Sequence, residues 1–159
     1  MPDPEEQERR AAREYALRLL DYRERSSGEL ARRLMEKGFG EAAARFVLDG
    51  LRKSGLVDDE RFARLWVTSR LRARPRSRRL IGIELARRGI SRDSIRSVLD
   101  ALMPEDGEEE LARSLAAGRA RFYRGDDPLR RRRKLGAWLA RRGFAPDLIG
   151  RILEEMGEE

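Results

Sequence analysis

Apolar residues recur along this chain at the three-to-four spacing of amphipathic helices, and one stretch of the pattern comes round three times. Each time a helical run closes with a basic residue, a glycine and a large apolar residue: Lys37-Gly38-Phe39, Arg88-Gly89-Ile90 and Arg142-Gly143-Phe144. The glycines stand 51 and 54 residues apart. Registering the chain on them without gaps aligns Leu30 with Ile81 and Leu135, and Leu34 with Leu85 and Leu139. Downstream, Ala44 aligns with Ile95 and Ile149, Val47 with Val98 and Ile152, Leu48 with Leu99 and Leu153, and Leu51 with Leu102 and Met156. A period of this length marks stacked helical units, each too small to bury a core alone. The pattern predicts an all-α protein, an elongated tandem array of three three-helix repeats. These are residues 1–56 (with an acidic N-terminal extension), 57–103 and 104–159.

Local chemistry predicts where the helices start and stop. In the first repeat a helix runs from about Glu5 to Arg23, with Tyr15, Ala16, Leu19 and Leu20 as its stripe. Phe62, Ala63, Trp66 and Val67 replay that stripe, as do Leu111, Ala112 and Leu115, so Trp66 is expected in the core. Ser26-Ser27-Gly28-Glu29 has the spacing of a capping box, and Gly38 followed by Phe39 that of a Schellman stop at Lys37. A third helix ends near Ser54-Gly55. Asp58-Asp59-Glu60 favours the positive end of the next helix, Pro75 interrupts that helix, and further helices span about Ser77–Arg88 and Ser91–Leu102. Met103-Pro104-Glu105-Asp106-Gly107 reads as a linker before an acidic turn at Glu108-Glu109-Glu110. Asp127 and Pro128 supply an N-cap and a first helical residue, and the last helix spans about Pro146–Met156 before a frayed tail, Gly157-Glu158-Glu159.

Composition narrows the function. Charged residues make up 41% of the chain and mean hydropathy is −0.73, which the apolar period reconciles with narrow core stripes and wide solvated faces. Cysteine and histidine are absent, which removes the common zinc ligands, the usual acid–base residue and the thiol nucleophile. No metal, cofactor or catalytic group is predicted, although a carboxylate-only magnesium site at Asp58 and Asp59 stays open as a minor reading against helix capping. The N-terminus lacks the apolar core of a signal peptide, and no apolar run is long enough to span a bilayer, so the expected setting is cytoplasmic, as a monomer.

Net charge is +7, which points to a polyanionic partner. The densest segment carries Arg70, Arg72, Arg74, Arg76, Arg78, Arg79, Arg87, Arg88 and Arg92 against the one carboxylate of Glu84. A second run holds Arg130, Arg131, Arg132, Arg133 and Lys134. The bland alternative is a solvated face. Trp138 and Phe46 fall at positions charged in another repeat, which makes them candidate exposed anchors, with packing between repeats as the alternative. No phosphate-binding glycine loop and no nucleophile–base pair is present. Helix-turn-helix DNA binding is a rival, but no helix combines base-reading Asn, Gln and Arg.

The run Gly55-Leu56-Val57-Asp58-Asp59-Glu60-Arg61-Phe62-Ala63, continued through Trp66, Ser69-Arg70, Arg74 and Ile83–Ile90, resembles the RecX family of regulatory proteins. Ser27, Glu29-Leu30, Leu34 and Lys37-Gly38-Phe39 resemble its first repeat, and Lys134-Leu135, Leu139, Arg142-Gly143-Phe144 and Ile149 its third. Pro75-Arg76-Ser77 departs from the glycine-rich step common there. The resemblance implies tandem three-helix repeats without enzymatic activity. It implies binding in the groove of RecA nucleoprotein filaments and inhibition of strand exchange, ATP hydrolysis and co-protease activity, within DNA repair, recombination and the SOS response. The basic residues and Trp138 would then meet filament DNA or recombinase. Direct, salt-sensitive binding to single- or double-stranded DNA without a recombinase is the alternative.

Overall fold

The computed structural model describes residues 1–157, and Glu158 and Glu159 of the expected frayed tail lie outside the described residues. The described residues are all-helical: α1 (Pro4–Tyr22), α2 (Ser27–Lys37), α3 (Glu41–Lys53), α4 (Asp59–Ala73), α5 (Arg78–Arg87), α6 (Arg92–Leu102), α7 (Glu105–Ala120), α8 (Pro128–Arg141) and α9 (Pro146–Gly157). A single 3₁₀ turn, Arg121–Tyr123, extends α7. Three helices therefore follow one another in each of three repeats.

The capping chemistry works as the sequence requires. The Glu29 amide donates to Ser26 Oγ at 3.1 Å, and the Ser26 amide donates back to the Glu29 carboxylate at 3.4 Å. Gly38 takes φ +104, its amide donates to Met35 O, and the Phe39 amide donates to Leu34 O, closing α2 in a Schellman turn. The Arg130 amide donates to Asp127 at 3.1 Å, with Pro128 opening α8.

The expected linker between the second and third repeats is not there. Two residues of Met103–Gly107 lie between helices: Met103 is buried, Pro104 caps α7, and Glu105, Asp106 and Gly107 already lie in the helix. Glu105, Asp106 and Glu108 in the first turn offset the positive helix end, so the Pro-acid-Gly composition marks a helix start.

The chain forms two compact units. The first comprises Met1–Trp66 with Leu85–Ile95, and the second Val67–Glu84 with the chain from Arg96 onward, so the divisions fall inside α4, α5 and α6. In the first unit Ala12 and Ala16 of α1, Leu30 and Leu34 of α2 and Val47, Leu48 and Leu51 of α3 form one cluster, closed by Val57. In the second, Ala112, Ala116 and Ala120 pack with Leu135 and Leu139 of α8, Phe144, and Ile149 and Ile152 of α9. Small residues on α1 and α7 and branched ones on their partners let the helices approach closely.

Candidate partner-binding surface

The first unit contains a joint between the first and second repeats. Ser27, at the start of α2, gives its amide to Asp59 Oδ1 at 2.7 Å and its hydroxyl to Oδ2 at 2.6 Å. Asp59 thus caps the helix of the preceding repeat, while Asp58 caps its own α4 through the Arg61 amide. Ser26 Oγ donates to the Arg88 carbonyl. Gly89 (φ +80) lies against Gly28, where a Cβ on either residue would come 2.7 Å from the other's Cα. Arg88 reaches over this contact to the buried Glu29 carboxylate at 2.6 Å, and its guanidinium lies 4.5 Å from the Trp66 ring centroid. Arg23 grips the same carboxylate. Burial pushes the Glu29 carboxyl up, but the bonds from Arg88 and Arg23 outweigh it and hold the group below the usual range.

The second unit repeats this joint between the second and third repeats, displaced by one period. Arg78 stands where Ser27 stood and gives its amide to Glu108 at 2.9 Å. The Ser77 amide donates to the Arg142 carbonyl at 2.9 Å, and Ser77 Oγ accepts from Leu80 to cap α5. Gly143 (φ +86) sits where a Cβ would meet Leu80 Cβ at 2.8 Å. Arg142, the counterpart of Arg88, again lies on a tryptophan, 4.3 Å from the Trp138 centroid. The counterpart of Glu29, however, is Leu80. Arg142 therefore meets no carboxylate among the described residues, and Nη1 donates to Pro75 O at 2.6 Å instead.

The arginines singled out in the sequence divide accordingly. Arg78 is consumed by the fold: it donates to Leu99 O and Met103 O and pairs with Asp100 at 2.7 Å. Arg88 belongs to the first joint. Arg70 (2.9 Å) and Arg76 both pair with Glu84. By contrast, Arg72, Arg74, Arg79 and Arg87 are exposed, and their side chains make no hydrogen bond or ion pair among the described residues. In the second basic run Lys134 pairs with Asp126 at 2.7 Å, Arg130 approaches the same carboxylate at 3.6 Å, and Arg132 donates to Leu153 O. Arg131 and Arg133 have no such partner among the described residues.

The aromatic residues also separate. Phe46 is 56% exposed beneath Arg9, in keeping with its irregular place in the pattern. Trp138 is only half-buried rather than exposed, because its ring packs at the edge of the third-repeat core between Arg142 and Arg119. Trp66, expected in the core, is also half-buried, stacked on Phe62 and covered by Arg88.

Trp138 forms one wall of an open depression of about 530 Å³ whose other lining residues are Ala73, Arg74, Arg76, Arg141 and Arg142. Burial, then the like charges of Arg76, Arg119 and Arg74, make the Arg142 guanidinium a weaker base than usual. An anion placed here would relieve that repulsion. Arg141 and Arg142 escaped the charge-run reading because their glycine signature was already explained by a helix stop. The usable signal was the loss of Glu29's carboxylate at Leu80, visible only once the repeats are stacked. Among the described residues no group of three or more acidic side chains could hold a metal ion, and no helix is long and apolar enough to cross a membrane.

Comparison with known proteins gives a consistent result. Residues 12–51, 58–99 and 107–153 match in order the family models described as the first, second and third three-helix domains of RecX. The chain is similar to a protein named regulatory protein RecX from Mycobacterium bovis (strain BCG / Pasteur 1173P2), 40% identical over 159 residues, covering 96% of this chain and 90% of the relative. It is also similar to the protein of that name from Streptomyces coelicolor, 38% identical over 161 residues and covering 99% and 83%. The crystal structure of RecX from Lactobacillus salivarius shares the fold, with a TM-score of 0.81 at 22% identity, covering 96% of this chain and 99% of the other.

Proposed function

The chain belongs to the RecX family of regulatory proteins, and from that premise we propose that it acts on RecA nucleoprotein filaments in the bacterial cytoplasm. It binds in the filament groove and inhibits strand exchange, ATP hydrolysis and co-protease activity without chemistry of its own. The observation that carries this reading is the ordered match of all three RecX domains, joined to a set of exposed arginines that the fold does not consume. Arg72, Arg74, Arg79 and Arg87 meet DNA phosphates or acidic recombinase surface, with Arg131 and Arg133 as a second contact. Tandem repeats engage several filament subunits, and weak contacts add into avidity. A ligand that prefers one filament state shifts its population, which is sufficient for inhibition.

The test is RecA ATP hydrolysis on single-stranded DNA, titrated with this protein well below one molecule per recombinase subunit. Inhibition at that ratio is expected. Unchanged hydrolysis, together with ordinary salt-sensitive DNA binding, would replace the filament regulator with a DNA-binding module.

A further inference from the structure

The two joints differ in several partners, and the tryptophan beneath Arg142 comes from its own helix α8 whereas the one beneath Arg88 comes from α4. One difference leaves a cation without an acid among the described residues. In the first, the arginine before the glycine stop lies on a tryptophan and closes on a buried carboxylate, that of Glu29. In the second, the same arginine of the repeat, Arg142, lies on a tryptophan but faces an open depression, with Leu80 in place of the acid. Its only side-chain acceptor among the described residues is the Pro75 carbonyl. Arg74 and Arg141 line the same depression, exposed and without ion pairs among the described residues, and Arg76 adds a cation already shared with Glu84.

We infer that this depression binds a carboxylate from an acidic segment of the partner protein, which takes the place at Arg142 that Glu29 takes at Arg88. This rests on the reading that the protein works by docking on a partner, and it names the chemistry of one contact. A carboxylate is favoured over a phosphate because the first joint already shows the arrangement filled. There a two-oxygen planar anion accepts from the arginine edge while the guanidinium face rests on an indole. Desolvation by the tryptophan strengthens each charge-assisted bond. Arg74 and Arg141 at the rim give a run of several acids more to hold than a single residue.

The chain's own repeat supplies the test. Leu80→Glu installs an acid at the position equivalent to Glu29, where it is expected to pair with Arg142 and compete with an outside carboxylate for that guanidinium. Arg74→Glu reverses an exposed charge at the rim whose side chain makes no hydrogen bond or ion pair among the described residues. Binding of an acetylated, amidated hexaglutamate peptide to the full chain is measured by calorimetry at low salt, beside a dT oligonucleotide. The expected result is that each substitution weakens peptide binding by about tenfold or more, as loss of a charge-assisted contact would. Helicity is to stay at the wild-type level by circular dichroism, and Leu80→Glu leaves oligonucleotide binding within about twofold, because Arg131 and Arg133 remain. Equal peptide binding by wild type and folded Leu80→Glu overturns the proposal. So does an oligonucleotide that displaces the peptide and loses affinity in both variants, since the occupant is then phosphate. If Leu80→Glu fails to fold, Arg74→Glu alone decides by the same criteria. RecA ATPase measured in parallel separates this contact from the wider function. Inhibition that persists without any peptide binding removes only the pocket, whereas peptide binding without inhibition removes the filament reading.

Discussion

Gly28→Ala is a substitution whose sign is set by the joint rather than by the helix that carries it. Gly28 lies in the first turn of α2, where alanine is the better helix former by up to about 1 kcal/mol. A Cβ there would lie 2.7 Å from Gly89 Cα, 3.2 Å from Arg88 O and 3.3 Å from Gly89 O. All three neighbours are backbone, so no rotamer change can relieve the contact. Overpacking of this kind costs about 1–3 kcal/mol. The net expectation is a loss of about 1–2 kcal/mol, or roughly 2–8 °C in Tm for a chain of this size. Gly118 in α7 is the control: it too is helical, but nothing lies within 4 Å of its Cβ position, so Gly118→Ala is expected to stabilise by about 0.4–1 kcal/mol. Thermal and urea melts followed by circular dichroism at 222 nm read both. If the two substitutions raise Tm alike, the α2 start is not pressed against the second repeat, and the account of the joint is wrong.

Glu29→Gln tests the buried ion pair. Because the folded carboxyl titrates below its ordinary value of 4.5, its stabilisation is full above that pH and is lost as pH falls through the lower folded value. The variant is expected to lose about 1–3 kcal/mol at pH 7 and to show a flatter acid limb, so a parallel acid limb would refute the assignment. Arg72, Arg74 and Arg79 changed together to Glu are expected to abolish most RecA inhibition without lowering Tm by more than about 1 kcal/mol equivalent, whereas unchanged potency would remove this face from the mechanism. Arg131→Ala with Arg133→Ala is expected to shallow the log–log salt dependence of single-stranded DNA binding by about 1.4, and an unchanged slope would show that neither residue meets phosphate. Phe46→Ala, at an exposed ring, is expected to leave Tm within about 1 kcal/mol equivalent of wild type, and a larger fall would show that its stacking under Arg9 is structural.

What the sequence reveals is mostly what a few neighbouring residues decide. Ser26 with Glu29, Gly38 with Phe39 and Asp127 with Pro128 each fix a helix end within four residues, and each does so in the structure. The core follows from the same period, because Leu30, Ile81 and Leu135 occupy one equivalent place and all are buried. The functional surface is less legible, since a run of arginines does not disclose its partners. Arg78 and Arg79 are adjacent in the chain, yet one is bound to Met103 and Asp100 and the other is exposed. Those partners lie more than twenty residues away, beyond the reach of any local rule. Asp59 shows the same limit: its acidic position at a helix start was readable, but the helix it caps belongs to the preceding repeat.

That borrowed cap has a consequence for a chain made from its N-terminus onward. The start of α2 is finished by Asp59, 32 residues after Ser27, and by the Arg88 carbonyl, 62 residues after Ser26. The capping box closes α2 locally, but the Ser27 amide and the two serine hydroxyls gain their partners only once the following repeat has been synthesised as far as Arg88. Protein engineers who cut such a chain at its apparent repeat boundaries would separate the starts of α2 and α5 from groups of the next repeat that bond to them. A fragment meant to stand alone must carry the next repeat's acid and its arginine–glycine stop.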